Sequence, residues 1–181
     1  MIEIRIHGRG GQGAVTSAEM LALAAIATGK YAQAFPSFGP ERRGAPVQAF
    51  VRIADRHIRV KGEIREPTAV AVLDPGLLKI MDVTSGLREN GTIIVNSKMP
   101  PTEVKALFKG KWPVAVVDAS AIAVETIGVN IVNTTMLGAI LKATDVVPLD
   151  SLEEPLKHRF GGRAAANFEA CKKAYEKTVI G

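Results

Sequence analysis

Cysteine is almost absent from this chain of 181 residues, which contains only Cys171. One cysteine cannot form an internal disulfide, and it cannot by itself hold an iron–sulfur cluster or a structural zinc ion, because those sites need several ligands. The three histidines also lack the i, i+4 spacing of a helical metal site. The sequence therefore predicts no metal site, and we interpret Cys171 as a small buried residue of a late helix.

Long hydrophobic runs and blocks of like charge are lacking as well. No apolar run approaches the roughly 20 residues of a membrane-spanning helix, and no basic segment leads into an apolar signal core, so we expect a cytoplasmic chain without membrane contact. The net charge of +5 is dispersed, and aromatic residues make up only 5% of the chain. We therefore expect no nucleic-acid binding, whereas anionic ligands or acidic partners fit this charge better.

The chain is rich in glycine near its start, where it reads Gly8-Arg9-Gly10-Gly11-Gln12-Gly13. Ahead of this stretch, apolar and polar residues alternate as in a β-strand, and behind it an alanine-rich segment is typical of a helix. Glycines between the two allow a tight turn and let an anion approach the backbone, while the first N–H groups of the helix point at that anion. The motif predicts a phosphate-binding turn.

Two features of common nucleotide sites are missing around this turn. A dinucleotide site needs an acidic residue roughly 20 positions further on, and no Asp or Glu occurs in that region before Glu41. No Lys-Ser or Lys-Thr pair closes the loop, which argues against a P-loop nucleotidase. Ordinary NAD binding is therefore disfavoured, and the alternative is a glycine turn that merely connects two packed elements.

A second informative stretch, residues 37–46, is too rich in proline and glycine to be a helix or a central strand. It carries Arg42 and Arg43, and two adjacent guanidinium groups on the side where the glycine turn opens suit a polyphosphate. Contact with a partner subunit is an equally good interpretation. Glu41 could orient one of these arginines or pair with a partner chain.

The pattern of the whole chain predicts one α/β domain spanning residues 1–181. Continuous apolar runs at residues 69–73, 92–95 and 114–117 indicate strands buried on both faces. Helical segments separate these runs, which predicts a doubly wound, mostly parallel sheet followed by C-terminal helices. The predicted helices are 14–28, 76–82, 84–88, 102–109, 119–126, 134–143, 151–158 and 163–177.

Alternating segments add an antiparallel hairpin to this sheet. Residues 47–53 and 56–61 each alternate apolar with polar residues and predict the two strands of the hairpin insertion. The first strand alternates too, with Glu3, Arg5 and His7 on one face, and we expect that face to meet another subunit. His7 itself is interpreted as a packed, hydrogen-bonded histidine and not as a ligand contact.

Catalytic groups do not emerge from the sequence. Neither Ser37 nor Ser120 is framed as G-x-S-x-G, so a hydrolase has no candidate nucleophile. Asn133 is interpreted as the N-cap of the following helix, a place from which it could also touch a ligand. A phosphate-binding turn with arginines, but without an acid/base pair, a nucleophile or a metal cluster, indicates a subunit that holds a ligand.

Three motifs together resemble the gamma subunit of 2-oxoacid:ferredoxin oxidoreductases, most closely the pyruvate or 2-ketoisovalerate type. They are Gly8-Arg9-Gly10-Gly11-Gln12-Gly13-Ala14-Val15, Phe35-Pro36-Ser37-Phe38-Gly39-Pro40-Glu41-Arg42-Arg43-Gly44-Ala45-Pro46-Val47 and Asn133-Thr134-Thr135-Met136-Leu137-Gly138-Ala139. The resemblance implies a multi-subunit enzyme that converts a 2-oxoacid to acyl-CoA by oxidative decarboxylation and passes the electrons to ferredoxin. Pyruvate is the favoured substrate. The resemblance also implies that this chain alone is inactive.

The resemblance divides the cofactors among the subunits. It implies that the alpha, beta and delta partner subunits hold thiamine diphosphate, magnesium and 4Fe-4S clusters, while this chain contributes coenzyme A binding and subunit assembly. The resemblance assigns the glycine turn to the phosphate or ribose region of the ligand, that is, Gly8, Arg9, Gly10, Gly11, Gln12 and Gly13. It assigns Ser37, Arg42 and Arg43 to the ligand or to the subunit seam, and Asn133 is a further candidate for ligand binding.

Three other functions are weighed against this one. A nicotinamide-dependent oxidoreductase acting alone would need the ribose-binding acid that the sequence lacks. A stand-alone nucleotide or coenzyme A-binding module would need no partners. The small subunit of an indolepyruvate oxidoreductase shares the glycine turn, but the loop rich in proline and arginine argues against it. The motifs do not distinguish pyruvate from a branched-chain 2-oxoacid.

Overall fold

A computed structural model describes residues 1–37 and 43–181 of the chain. In these ranges the chain forms a seven-stranded sheet in the order β2-β3-β1-β4-β5-β6-β7. The strands are β1 (Ile2–Arg9), β2 (Tyr31–Pro36), β3 (Pro46–Ala54), β4 (Ala69–Val72), β5 (Thr92–Asn96), β6 (Val114–Val117) and β7 (Val179–Ile180).

Four strands, β1, β4, β5 and β6, run parallel through the centre of the sheet. Strand β3 is antiparallel to both β1 and β2, and β7 is antiparallel to β6. Every residue of β4 and β6 is buried, because helices and turns cover both faces of the parallel region. The predicted α/β class, with a mostly parallel sheet and an antiparallel hairpin, is confirmed.

Helices lie on both faces of the sheet, as the doubly wound arrangement requires. They are α1 (Ala14–Ala27), α2 (Pro101–Leu107), α3 (Ala119–Ile127), α4 (Asn133–Thr144), α5 (Glu153–Phe160) and α6 (Ala164–Lys177), with a 3₁₀ helix at Pro75–Lys79. The larger core packs α1 and α3 to α6 against one face, and the smaller core packs Leu77 of the 3₁₀ helix and Val104 of α2 against the other. None of the helices in residues 1–37 and 43–181 is long and apolar enough to cross a membrane.

One of the two strands predicted for the antiparallel hairpin is wrong. Residues 56–61 form no strand, and the antiparallel hairpin instead joins β2 to β3. The physical reason is that β3 lies between β1 and β2, so both of its edges are paired and no edge is left for residues 56–61. These residues lie over β2, where Gln33 Nε2 donates to the Ile58 carbonyl oxygen at 3.4 Å.

Three smaller differences concern short elements. Residues 84–88 form a turn and not a helix, and the helix predicted at residues 76–82 is the 3₁₀ helix at Pro75–Lys79. Strand β7 was not predicted, because two residues are too short to show a periodic pattern. The remaining predicted helices are confirmed, with ends that differ by one or two residues as is usual for helix boundaries.

The polar face of β1 is covered by this chain itself, so the expectation that it meets another subunit is wrong. Glu3, Arg5 and His7 are only 7%, 6% and 0% exposed. The turn after the 3₁₀ helix lies over them, and Arg5 Nη2 donates to the carbonyl oxygens of Val83 and Ser85 at 3.0 and 2.6 Å. Partners within the chain satisfy the charged groups of this face, which removes the need for a second subunit there.

Candidate functional site

The glycine turn joins β1 to α1 at the carboxyl edge of the parallel strands. Gly11 and Gly13 have φ angles of 90° and 81°, a left-handed conformation that glycine adopts without strain. A Cβ atom on Gly13 would collide with the Asn133 side chain, so close packing also requires glycine there. The Ser17 hydroxyl donates to the Asn133 carbonyl oxygen at 3.0 Å, which holds α1 against α4.

The first turn of α1 has no side-chain cap within the described part of the chain. Gly13 occupies the N-cap position, and no acidic residue lies in the first turn. The first N–H groups of a helix have no intrahelical acceptor, and the helix dipole adds positive potential at the same place. This end of α1 is therefore suited to an anionic group.

The end of the stretch rich in proline and glycine, residues 43–46, lies directly against the glycine turn. The Gly10 N–H donates to the Ala45 carbonyl oxygen at 2.8 Å, and the Gly44 N–H donates to the Gly10 carbonyl oxygen at 3.1 Å. Arg43 is exposed beside this contact, and a Cβ on Gly11 would lie 4.0 Å from Arg43 Cγ. The structure thus brings Arg43 to the turn, as the sequence predicted.

Of the other predicted residues in this loop, only Ser37 has a described position. Arg42 and Glu41 lie outside the described residues. Ser37 follows β2, where its N–H donates to the Gln48 carbonyl oxygen at 2.9 Å. Because β3 separates β2 from β1, Ser37 stands apart from the turn.

Asn133 does not cap α4, which corrects its predicted structural role. It is the first residue of the helix, Val132 occupies the N-cap position, and no side-chain cap bond is formed. The Met136 N–H bonds to the Val132 carbonyl oxygen at 2.8 Å, which starts the helix one residue earlier than a cap at Asn133 allows. Its side chain packs against Gly13 instead, so Asn133 supports the turn from behind.

Asp74 lies shortly after the end of β4 and ties the glycine turn together. Its carboxylate accepts hydrogen bonds from Arg9 Nε at 2.8 Å, Gln12 Nε2 at 3.2 Å and the Gly76 N–H at 2.8 Å. Burial works to raise the pKa of this carboxyl, but the three hydrogen bonds outweigh burial and hold the pKa below its ordinary value. Asp74 is therefore ionised at neutral pH and fixes the orientation of Arg9 and Gln12.

A cavity of about 250 Å³ opens beside the turn. Its lining residues come from the turn, from the ends of β4 and β5, from the start of α3 and from the segment before α4. They are Gly11, Gln12, Leu73, Asp74, Pro75, Asn96, Ser120, Asn130, Ile131 and Val132. The cavity therefore lies at the carboxyl ends of parallel strands, the usual position of a ligand site in an open α/β sheet.

Asn96 and Ser120 form the polar wall of this cavity. Asn96 is 4% exposed, and its Nδ2 donates to the Leu73 carbonyl oxygen and to Ser120 Oγ, both at 3.0 Å. Its Oδ1 accepts from the Ser120 N–H at 3.3 Å. Since Ser120 Oγ accepts one hydrogen bond, its own proton is available to donate toward the cavity.

Sequence reasoning missed Asp74, Asn96 and Ser120 as site residues. Asp74 and Asn96 stand at the ends of two buried apolar runs, and Ser120 lies in the first turn of the helix after a third. Because the carboxyl ends of parallel strands meet at one edge, polar residues in these positions were the signal that could have identified them.

His7 and Cys171 are buried away from this cavity, as their predicted structural roles require. Arg5 Nε donates to His7 Nε2 at 3.0 Å. Burial, followed by the charge of Arg5, lowers the pKa of His7 to about 3. Cys171 Sγ donates to the Thr134 carbonyl oxygen at 3.0 Å, and burial raises the pKa of its thiol to about 12, so the thiol is unreactive.

The cavity contains groups that bind and few that react. Among its lining residues Asp74 alone carries an ionisable side chain, and its lowered pKa makes it a poor proton donor at neutral pH. The remaining polar groups are amides, a hydroxyl and the backbone N–H groups of the turn. Fold and site together define an α/β protein with a cavity beside a glycine-rich turn, a place suited to an anionic ligand.

Comparison with known proteins narrows this class to one family. The chain matches the family described as pyruvate ferredoxin/flavodoxin oxidoreductase over residues 3–177. It is 54% identical over 182 residues to the pyruvate/ketoisovalerate oxidoreductases common subunit gamma of Thermococcus litoralis, and the match covers 99% of this chain and 98% of that protein. The chain belongs to this family, as a gamma-type subunit of a 2-oxoacid:ferredoxin oxidoreductase.

Two further relatives agree with this assignment. The chain is 51% identical over 178 residues to pyruvate synthase subunit PorC of Methanothermobacter marburgensis, with 98% of this chain and 97% of that protein covered. The crystal structure of pyruvate oxidoreductase subunit PORC from Thermotoga maritima superposes with a TM-score of 0.88 at 38% identity, covering 99% of this chain and 97% of that one. The resemblance stated from the motifs is confirmed.

Proposed function

We propose that this chain binds coenzyme A for a pyruvate-oxidising complex that it forms with alpha, beta and delta subunits. The observation that carries the proposal is the uncapped N-terminus of α1, which follows a glycine turn bordered by Arg9 and Arg43. Coenzyme A brings a diphosphate and a ribose 3′-phosphate, which are anions of the kind that a helix N-terminus and guanidinium groups bind.

Different groups around the turn would bind different phosphates of coenzyme A. The N–H groups of Gly11, Gly13 and the first turn of α1 would hold the diphosphate, while Arg42 and Arg43 would reach a second phosphate. The negative charge of Asp74 is offset by its ion pair with Arg9 at 2.8 Å, which reduces its repulsion of an anionic ligand. Its role is to keep Arg9 and Gln12 in place around the turn.

The size of the cavity supports a shared site. A volume of about 250 Å³ falls below the roughly 300–1,000 Å³ of pockets that enclose a drug-sized ligand, so it accommodates only one part of coenzyme A. The rest of the ligand would extend out of the opening toward a partner subunit. Ser37, which stands apart from the turn, would then belong to the subunit seam.

The chemical steps would take place outside this chain. The lone buried Cys171 does not fit a cluster site, and no group of three metal-ligating side chains occurs in residues 1–37 and 43–181. Thiamine diphosphate, magnesium and 4Fe-4S clusters would therefore be held by the partner subunits, with ferredoxin as the electron acceptor. This chain would position the coenzyme A thiol, which makes its reaction with the acyl group effectively unimolecular.

The test is steady-state kinetics of the purified complex with Arg43→Ala. Losing one charged hydrogen bond to a phosphate costs about 1.5 kcal/mol or more, so we expect the KM for coenzyme A to rise about tenfold. The KM for pyruvate and the subunit composition should stay unchanged. Arg163→Ala is the matched control, since Arg163 is also exposed but precedes α6.

The opposite pattern would remove the proposal. If Arg43→Ala leaves the KM for coenzyme A unchanged while partner subunits dissociate, the turn serves assembly and not the ligand. If the isolated chain oxidises a substrate with a nicotinamide cofactor, the turn binds a dinucleotide.

A further inference from the structure

Strand β2 forms one edge of the sheet, and no strand in the described residues pairs with its outer side. In residues 1–37 and 43–181, β3 is the strand that pairs with it. The Ser37 N–H bonds to the Gln48 carbonyl oxygen at 2.9 Å, so hydrogen-bonded pairs continue at every second residue back along β2. The N–H and C=O groups of Ala32 and Ala34 therefore point away from β3, toward the open side.

The sequence of β2 does little to protect this edge. Its residues, Tyr31–Pro36, include no charged side chain, although lysines and other charges are the usual means of preventing strand addition. Pro36 faces the open side by the same alternation, and it blocks pairing only at the end of the strand. Ala32 to Phe35 are left as a half-buried, uncharged edge, which suits a strand that becomes covered on assembly.

Apolar side chains continue the same surface over one face of β2. Leu23 and Ile26 of α1 are 45% and 53% exposed on this face, whereas Tyr31 lies on the opposite face beside His57 and is 48% exposed. A groove of about 340 Å³ runs between α1, β2 and α5, where Leu23 and Ala34 share it with Arg159. A strand added to β2 would place alternate side chains in this groove.

The charges around the edge are mainly positive. Arg159 lines the groove, with Glu19 as the acid of its lining. On the other face, residues 56–61 include three exposed cations and no acid, and His57 contacts the Tyr31 ring at 5.7 Å between centroids. The preceding Asp55 is paired with Lys30, so it does not offset those cations.

We propose that the open edge of β2 binds an extended, acidic segment of a partner subunit as an additional strand. Backbone hydrogen bonds to Ala32 and Ala34 would hold the segment, and its carboxylates would meet the arginines on both sides. A second copy of this chain fits poorly, because it would bring the same basic flanks together. The proposal rests on the multi-subunit assembly but not on coenzyme A binding, because β3 separates β2 from the glycine turn.

The first measurement compares amide hydrogen exchange of the full chain alone with that of the purified complex. We expect exchange at residues 31–37 to slow at least about tenfold on assembly, since exchange requires the new hydrogen bonds to open. A photo-crosslinker in place of Tyr31 should attach to a partner segment rich in Asp and Glu. Unchanged exchange overturns the proposal, and so does a crosslinked segment without acidic residues.

Variants then separate backbone pairing from packing. Ala34→Pro removes an N–H that β3 does not use, so we expect the chain to fold and the partner to dissociate about tenfold more readily. Ala34→Val keeps the N–H and is the matched control. Arg159→Glu should weaken the same contact and reduce its dependence on salt. Equal binding by all three variants contradicts the proposal.

Two further outcomes are informative. One distinguishes binding of a partner segment from self-association, and the other distinguishes failure of this proposal from failure of the coenzyme A proposal. Protection of residues 31–37 in the isolated chain that increases with its concentration would show pairing between two copies, which overturns the proposal. The coenzyme A site fails independently: in that case Arg43→Ala leaves the KM for coenzyme A unchanged even though residues 31–37 are protected in the complex.

Discussion

The two faces of β1 are both buried, yet they are built from opposite kinds of side chain. Ile4 and Ile6 are 0% exposed and belong to the larger apolar core. On the other face, Glu3, Arg5 and His7 are also buried, and they take part in hydrogen bonds and ion pairs. Alternation along a strand therefore identifies which side chains share a face, but it does not reveal whether that face meets solvent, a partner or the same chain.

The two faces are stabilised by different physical effects. Removal of apolar area from water stabilises the isoleucine face, and this effect does not depend on protonation. The polar face depends on Glu3, which pairs with Arg52 at 2.9 Å and with Arg88 at 3.0 Å. Arg52 is itself 2% exposed, so its charge needs this partner. Substitutions on the two faces should therefore differ both in their cost and in its dependence on pH.

The largest expected effect follows from Glu3→Met, which leaves the buried guanidinium of Arg52 without its carboxylate. We expect the free energy of unfolding to fall by about 3–5 kcal/mol. Urea denaturation of the purified chain measures it. In the double variant with Arg52→Met, the loss should be smaller than the sum of the two single losses. Additive losses would show that the pair is not coupled.

The second effect concerns pH and His7. Its pKa is about 3 in the folded chain against an ordinary 6.5, so between these values the unfolded chain binds more protons and stability falls as the pH falls. From pH 6.5 to pH 4.5 the loss from this group should be about 2 kcal/mol.

His7→Gln tests the assignment, because glutamine can still accept the hydrogen bond from Arg5 but does not titrate. We expect the unfolding free energy of this variant to fall about 2 kcal/mol less than that of the wild type over the same pH interval. Asp74 and Asp82 have lowered pKa values, so they cost stability only at lower pH. Parallel pH profiles for wild type and variant would exclude His7 as the titrating group.

The smallest effect is expected on the isoleucine face. Ile4→Val removes one methylene from a fully buried position and should cost about 0.5–1.5 kcal/mol. The cost should be the same at pH 4.5 and 6.5, since the core cluster of Ile4, in the described part of the chain, includes no histidine and no carboxylate side chain. A cost that changes with pH would mean that the two faces are not independent.

The parallel half of the fold was predictable, whereas in the antiparallel half the strands β1 and β3 were predictable but the partner of β3 was not. Strands β4, β5 and β6 follow from continuous apolar runs, because burial on both faces leaves a local signature in each run. The partner of β3 does not follow from its own residues. Residues 56–61 alternate as well as residues 31–36 do, and the choice between them depends on which edge of β3 is free.

The candidate site divides in the same way. The glycine turn and Arg43 were predicted, because a strand, a glycine-rich turn and a helix are consecutive in sequence. Asp74, Asn96 and Ser120 come from separate βα connections, and only the parallel pairing of β1, β4, β5 and β6 brings them together. A single polar residue after a strand shows no periodic pattern, so the sequence alone does not identify it as part of a site.

The sequence by itself determined the α/β class, the glycine turn between β1 and α1 and membership in the family, because each depends on patterns within short stretches of the chain. The tertiary structure decided that β2 lies at an open edge, that Asp74 holds Arg9 and Gln12, and that the polar face of β1 is covered internally. Each of these depends on contacts between distant segments. The cost of burying a charge, or of leaving a strand edge open, is set by what the rest of the chain places beside it.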